Sequence, residues 1–178
     1  MDAATASIAH LYADWRGYNA RMVAALRDMP AEDLALRPSH DHWPIWAIAA
    51  HTAGARVFWL CSVLREPGAE TTPFTDPTGL GWEDELDLPR SADELVWAWD
   101  STWAVVEGCL NRWTPAMLDD VFRREGRSGL QLHSRQSVLM RLITHEAYHA
   151  GEIALIQGMH GRQPLDLWPP RDWLAGGP

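Results

Sequence analysis

Lysine is missing from this chain. All fifteen of its basic side chains other than histidine are arginine, which excludes a lysine nucleophile, a Schiff base and a phosphate-binding P-loop together. Cysteine is scarce, and Cys61 and Cys109 form no CxxC pair, so neither a redox dithiol nor a zinc knuckle is encoded. Both sit in helical patterns, where a buried small thiol is the default. Cys61 lies ten residues past His51, about 15 Å along one helix and too far to share an ion with it. Positive charge is short as well: 15 arginines face 24 acidic residues, a net charge of -9, which argues against wrapping nucleic acid. The longest apolar segment, Trp43 to Leu64, has the length of a membrane span. His51 and Arg56 interrupt its middle, where ionisable groups are costly in lipid, so it reads as a buried helix and no membrane partner is expected. Met1 and Asp2 lead straight into a helical pattern without a basic segment and apolar run, so no signal peptide is expected and the chain is placed in the cytoplasm.

The chain has 178 residues, 47% of them hydrophobic, and eleven tryptophans, enough for one well-packed domain over residues 1–178. Ile8, Leu11, Trp15, Met22 and Leu26 mark a first amphipathic helix over about 5–29, ended by Pro30, with a short helical turn at 31–36. A second helix begins near Pro44 and runs over about 44–65, stopping before Pro67 and Gly68. Ser91 and Glu94 form a capping box that opens a third helix over 91–111, and a fourth covers 135–159. Thr114 and Pro115 begin another short turn. No convincing period-two run is present, so the fold predicted is an all-α four-helix bundle. The long link at 66–90 can cross such a bundle, which lets helices two and three run parallel. Within that link Trp82 either closes over a pocket or staples the loop to the helices. Residues 121–134, with Arg123, Arg124, Arg127 and the adjoining Arg135, read as a loop or small hairpin that either meets an anionic substrate or is simply solvated. The tail, residues 162–178, is expected to be extended and to dock Leu167, Trp168 and Trp173 on the outside.

The stretch Val138 to Gly161 organises the rest. Leu142, His145, His149, Glu152 and Ile156 fall on one helical face at 3, 4, 3, 4 spacing, and that face is the apolar one. Two imidazoles and a carboxylate on a buried stripe need partners to offset desolvation. His145 and His149 rise about 6 Å apart and point the same way, so both can reach one divalent ion. A third ligand must come from another segment, and His51 is the best donor. For each histidine the plain alternative is a core imidazole hydrogen-bonded to a neighbour. His10, His133 and His160 do not share the spacing of the trio, and His40 and His42 precede helix two.

These residues resemble a known family. His51 within WPIWAIAAH, the HEAYHAGEI block with His145 and His149, and the closing GMHGRQPLDLWP look like the DinB/YfiT superfamily over nearly the whole chain. The resemblance implies a four-helix bundle, often a homodimer, in which His51, His145 and His149 hold a divalent metal, with zinc or nickel expected. It also implies a metal-dependent S-transferase acting on a small-molecule substrate with a low-molecular-weight thiol of the bacillithiol or mycothiol type, in detoxification or stress response. Three neutral imidazoles leave coordination positions open for such a thiolate or for water. Glu152 is then either a carboxylate that orients a ligand histidine, a wall of the pocket, or a partner of a neighbouring helix. A non-catalytic metal- or small-molecule-binding protein is the alternative. HEAYH also matches the HExxH of zinc hydrolases, with Glu146 as general base. The downstream residues of that pattern are missing, and Glu146 lies about 100° round the helix from His145.

Overall fold

The computed structural model describes residues 6–75, 81–126 and 129–168. The predicted helix start at Thr5, Arg127 and the docking of Trp173 lie outside that range. The chain is mostly helical. A 3-10 turn, Ile8–Tyr12, leads into α1, Ala13–Arg27. Pro30 then caps the short α2, Ala31–Leu34. Helix α3, Ile45–Val57, starts after Pro44 and continues as a π-helical turn, Phe58–Val63. Helix α4 spans Ala92–Arg112 and α5 spans Arg135–Met159.

The predicted capping box opens α4: the Glu94 amide donates to Ser91 Oγ, and the Ser91 amide donates to Glu94 Oε2 at 2.8 Å. A reciprocal pair that sequence reading overlooked, Ser134 with Ser137, starts α5 the same way. The π-helical turn ends on Arg65, which takes the left-handed conformation at φ 63°. The Glu66 amide reaches back to the Leu60 carbonyl at 2.9 Å, the closing bond of a helix C-cap that usually carries glycine.

Cross-contacts set the directions. Ala49 meets Trp99 and Glu66 meets Arg112, so α3 and α4 run parallel, as the long connection allows. His51 meets His149, Arg56 meets Glu146 and Glu66 meets Arg135, so α5 runs against α3. Ile8 bonds Trp113 and Arg16 pairs with Glu107, so α1 runs against α4.

The apolar interior is divided in two. One cluster gathers Leu26, Trp46, Ala50, Trp99, Ile153 and Ile156, and the other Trp15, Leu60, Val106, Trp113, Leu139 and Leu142. Between them lies a polar layer centred on Arg56, which is wholly buried. Its Nε donates to Glu146 Oε1 at 2.7 Å, and its Nη1 donates to Asn19 Oδ1, the Trp99 carbonyl and Thr102 Oγ1. Trp15 Nε1 donates to the other Glu146 oxygen at 2.7 Å. The layer joins all four long helices and fixes how far α5 slides along α3.

The all-α expectation needs one correction. Residues 121–134 form an antiparallel hairpin, β1 Val121–Gly126 and β2 Gly129–Ser134, paired from Val121↔Ser134 to Gly126↔Gly129. Phe122 packs on the core, but the other inward positions break the apolar alternation of an ordinary half-buried strand. Arg124 and His133 turn inward against aromatic rings, while Leu130 and Leu132 face solvent. A search for apolar alternation therefore finds no strand there.

Candidate metal centre

His51 sits in the second turn of α3, and His145 and His149 sit one turn apart near the middle of α5. Because Arg56 and Glu146 lock the two helices at this level, the three rings converge, with centroids 4.5 to 5.1 Å apart. One nitrogen from each lies within 4.8 Å of the others. The Nε2 atoms of His51 and His145 face each other at 3.0 Å.

The outward nitrogens explain this inward focus. His51 Nδ1 donates to Glu83 Oε1 at 2.7 Å, and His149 Nδ1 donates to Glu152 Oε2 at 2.8 Å. With the proton held on Nδ1, each ring presents the Nε2 lone pair to the centre. Burial and the neighbouring His149, His51 and Arg141 push His145 down to about 4. Burial also lowers His149, against the opposing pull of Glu152. His145 and His149, both lowered, face the centre as neutral electron-pair donors at neutral pH. Two Nε2 lone pairs at 3.0 Å repel without something between them. His145 Nδ1 is buried and has no hydrogen-bond partner among the described residues in either tautomer.

A divalent ion fits this arrangement. Two nitrogens at about 2.0–2.1 Å from a tetrahedral ion lie roughly 3.3 Å apart, close to the His51–His145 separation. The wider pair closes by a side-chain shift of about 1.5 Å. No fourth protein ligand joins the cluster among the described residues. His10 bonds the Ser7 carbonyl, His160 the Arg37 carbonyl, and His40 and His42 bond Asp41 and Ser39. His133 packs on Trp59. The two thiols are out of play: burial raises Cys61 to about 11 and Cys109 to about 12.

A cleft of about 570 Å³ opens beside the histidines. Phe58 and Trp59 form one wall, Phe74 and Trp82 the other, with His51 and His145 at the inner end. Gly54 makes room for the far wall: a Cβ there would sit 3.2 Å from the Phe74 ring. Both readings of Trp82 hold, since it lines the cleft while its ring is stapled between Phe74 and the Arg90 guanidinium.

Several other residues find different places. Glu146 is spent on Arg56 and Trp15 and points into the core, away from the histidines. It cannot serve as the base of an HExxH hydrolase. Arg135 pairs with Glu66 and Asp120 and is structural. Leu165 and Leu167 pack against the core and Trp168 meets Tyr18 at 4.9 Å, so the described part of the tail docks as expected. Two residues of the site were missed. Glu83 lies in the long loop and meets His51 only through tertiary folding. Arg141 lines the cleft and precedes His145 by four residues, a spacing that sequence reading alone could have caught.

Residues 15–153 match the family model of the DinB superfamily. A crystal structure of a DinB-like protein from Bacillus cereus is similar at a TM-score of 0.69 and 16% identity, over 92% of this chain and 99% of that one. That likeness concerns the fold. No protein of curated function matches the chain.

Proposed function

We propose, from the premise that the chain belongs to the DinB superfamily, that His51, His145 and His149 hold a divalent metal, zinc or nickel. The cleft beside them would serve transfer of a low-molecular-weight thiol to a small electrophile. In this reading the protein is a single-domain four-helix bundle, a homodimer in the cytoplasm with a role in detoxification or stress response. The observation that carries it is the pair of Nε2 atoms facing each other at 3.0 Å while carboxylates hold Nδ1 of His51 and His149.

A bound divalent ion would supply a Lewis acid that lowers a thiol from its usual pKa near 8.5, so that the thiolate is present at neutral pH. The chain's own residues do the rest. Glu83 and Glu152 orient the imidazoles and raise their basicity. Glu83 Oε2 lies buried against Gly81, without a hydrogen-bond partner among the described residues, so the proton the thiol gives up would leave through solvent in the cleft. Phe58, Trp59, Phe74 and Trp82 would hold the electrophile. With three histidines and no fourth protein ligand in the group, positions stay open for a substrate, which favours a working centre over a structural zinc.

The test is elemental analysis of untagged protein beside its His149→Ala and His51→Ala variants. One equivalent of metal in the parent and none in the variants, with helicity retained, is the expected result. Tight stoichiometric binding by His149→Ala would sink the assignment. Metal binding without turnover across a panel of thiols and electrophiles would move the protein to the non-catalytic binding class.

A further inference from the structure

The outer end of the cleft has a different chemistry from the inner one. Trp59, on the π-helical turn after α3, is surrounded by basic groups from three other elements. The Arg141 guanidinium of α5 lies 4.5 Å from the centre of its ring, Arg124 of β1 lies 5.8 Å away, and His133 of β2 packs edge-on at 4.9 Å. Arg124 bonds only the Gln131 side-chain oxygen, and Arg141 meets no carboxylate among the described residues. The acidic groups of the cleft are otherwise engaged. Glu83 holds His51, Asp84 accepts the Gly81 amide, and Glu85 pairs with Arg90. Each carboxylate is thus held by another group, and Arg141, with no carboxylate partner among the described residues, is the unpaired cation at this rim, seated on an aromatic platform.

We infer that the Arg141–Trp59 rim is an anion subsite, and that the small molecule entering the cleft carries a carboxylate. Guanidinium recognises carboxylate through paired N–H donors. Stacking on Trp59 holds the guanidinium plane in place, which lowers the entropic cost of that contact. Arg141 lies one turn before His145 on the same helix, about 6 Å along its axis. A carboxylate bound at the rim therefore places the other end of a compact, apolar-bodied ligand between the aromatic walls and beside the histidines. This deepens the function proposed above and rests on it for the chemistry at the inner end; the rim itself needs no metal.

The experiment compares 3-phenylpropanoate with its uncharged isostere 3-phenylpropanamide by NMR titration. It uses the protein as purified and after EDTA treatment, with metal content and melting temperature recorded for each sample. The acid should bind at least about tenfold more tightly than the amide in the EDTA-treated protein, the size of one charge-assisted contact. Arg141→Gln should bring the acid down to the level of the amide and leave the amide unchanged. Arg141→Lys, which keeps the charge but loses the planar fork, should fall between. Equal binding of acid and amide, or an Arg141→Gln variant that still discriminates like the parent, overturns the proposal. So does failure of the acid to bind a folded sample. If Arg141 is only a staple on Trp59, Arg141→Gln lowers the melting temperature and weakens both probes alike, which also overturns it. Discrimination that persists in a protein with no metal under any condition supports the rim and refutes the metal reading instead.

Discussion

Arg56→Met tests whether the buried polar layer is what holds the histidines together. Arg56 is wholly buried and Glu146 is 7% exposed. Removing the guanidinium leaves the Glu146 carboxylate with only Trp15 Nε1, and it strips a donor from Asn19, Thr102 and the Trp99 carbonyl. Breaking one side of such a pair costs about 3–5 kcal/mol, because a charge is left buried without compensation. In a chain of this size each kcal/mol moves the melting temperature by about 2–4 °C, so a fall of roughly 6–20 °C is expected. Replacing both partners, Arg56→Met with Glu146→Leu, removes the orphaned charge, and most of the loss should return. Urea unfolding followed by circular dichroism measures the four corners of this cycle, with the slope checked for constancy. Metal affinity gives an independent readout. The single variant should bind weakly because α5 can slide along α3, and the double variant should recover. A single-variant cost under about 1 kcal/mol, or a double variant as unstable as the sum of the singles, would refute the reasoning.

The remaining predictions are simpler. Glu83→Ala should weaken metal binding by about 10- to 100-fold, with Glu83→Gln losing less, since an amide oxygen still accepts from His51 Nδ1; competition against a chelator measures both. The metal-free protein should lose stability as pH falls from about 6.5 towards 4. His145 is lowered to about 4 and His149 is lowered too, so the unfolded chain takes up protons first, and the contribution is complete only above the unfolded value. Urea midpoints at pH 7.5 and 5 check this, and His145→Gln should flatten the difference. Arg65→Gly should stabilise by about 0.5–1 kcal/mol, because glycine takes the positive φ without strain; a lower melting temperature would contradict it.

Local chemistry was enough to place the four long helices, the Ser91 cap, the crossover and the trio His51, His145 and His149. Each shows in periodicity, in punctuation by proline and glycine, or in ionisable groups on an apolar stripe. Residues 121–134 read as a loop or small hairpin and not as firm strands, because beside Phe122 their inward positions include Arg124 and His133, which pack on rings instead of among aliphatic side chains. Glu83 escaped because it is 32 residues from His51 in the chain, in a loop whose several carboxylates look alike until one is folded against the helix. By its own pattern the sequence determined which side chains share a helical face, since that depends only on the turn of one helix. The tertiary structure alone decided that Glu146, already turned about 100° from His145 by the helix, pairs with Arg56 and Trp15, and that Glu83 and Arg141 line one pocket. Those choices follow from the sliding position of α3 against α5, which is set by a buried ion pair between distant segments and which no local pattern records.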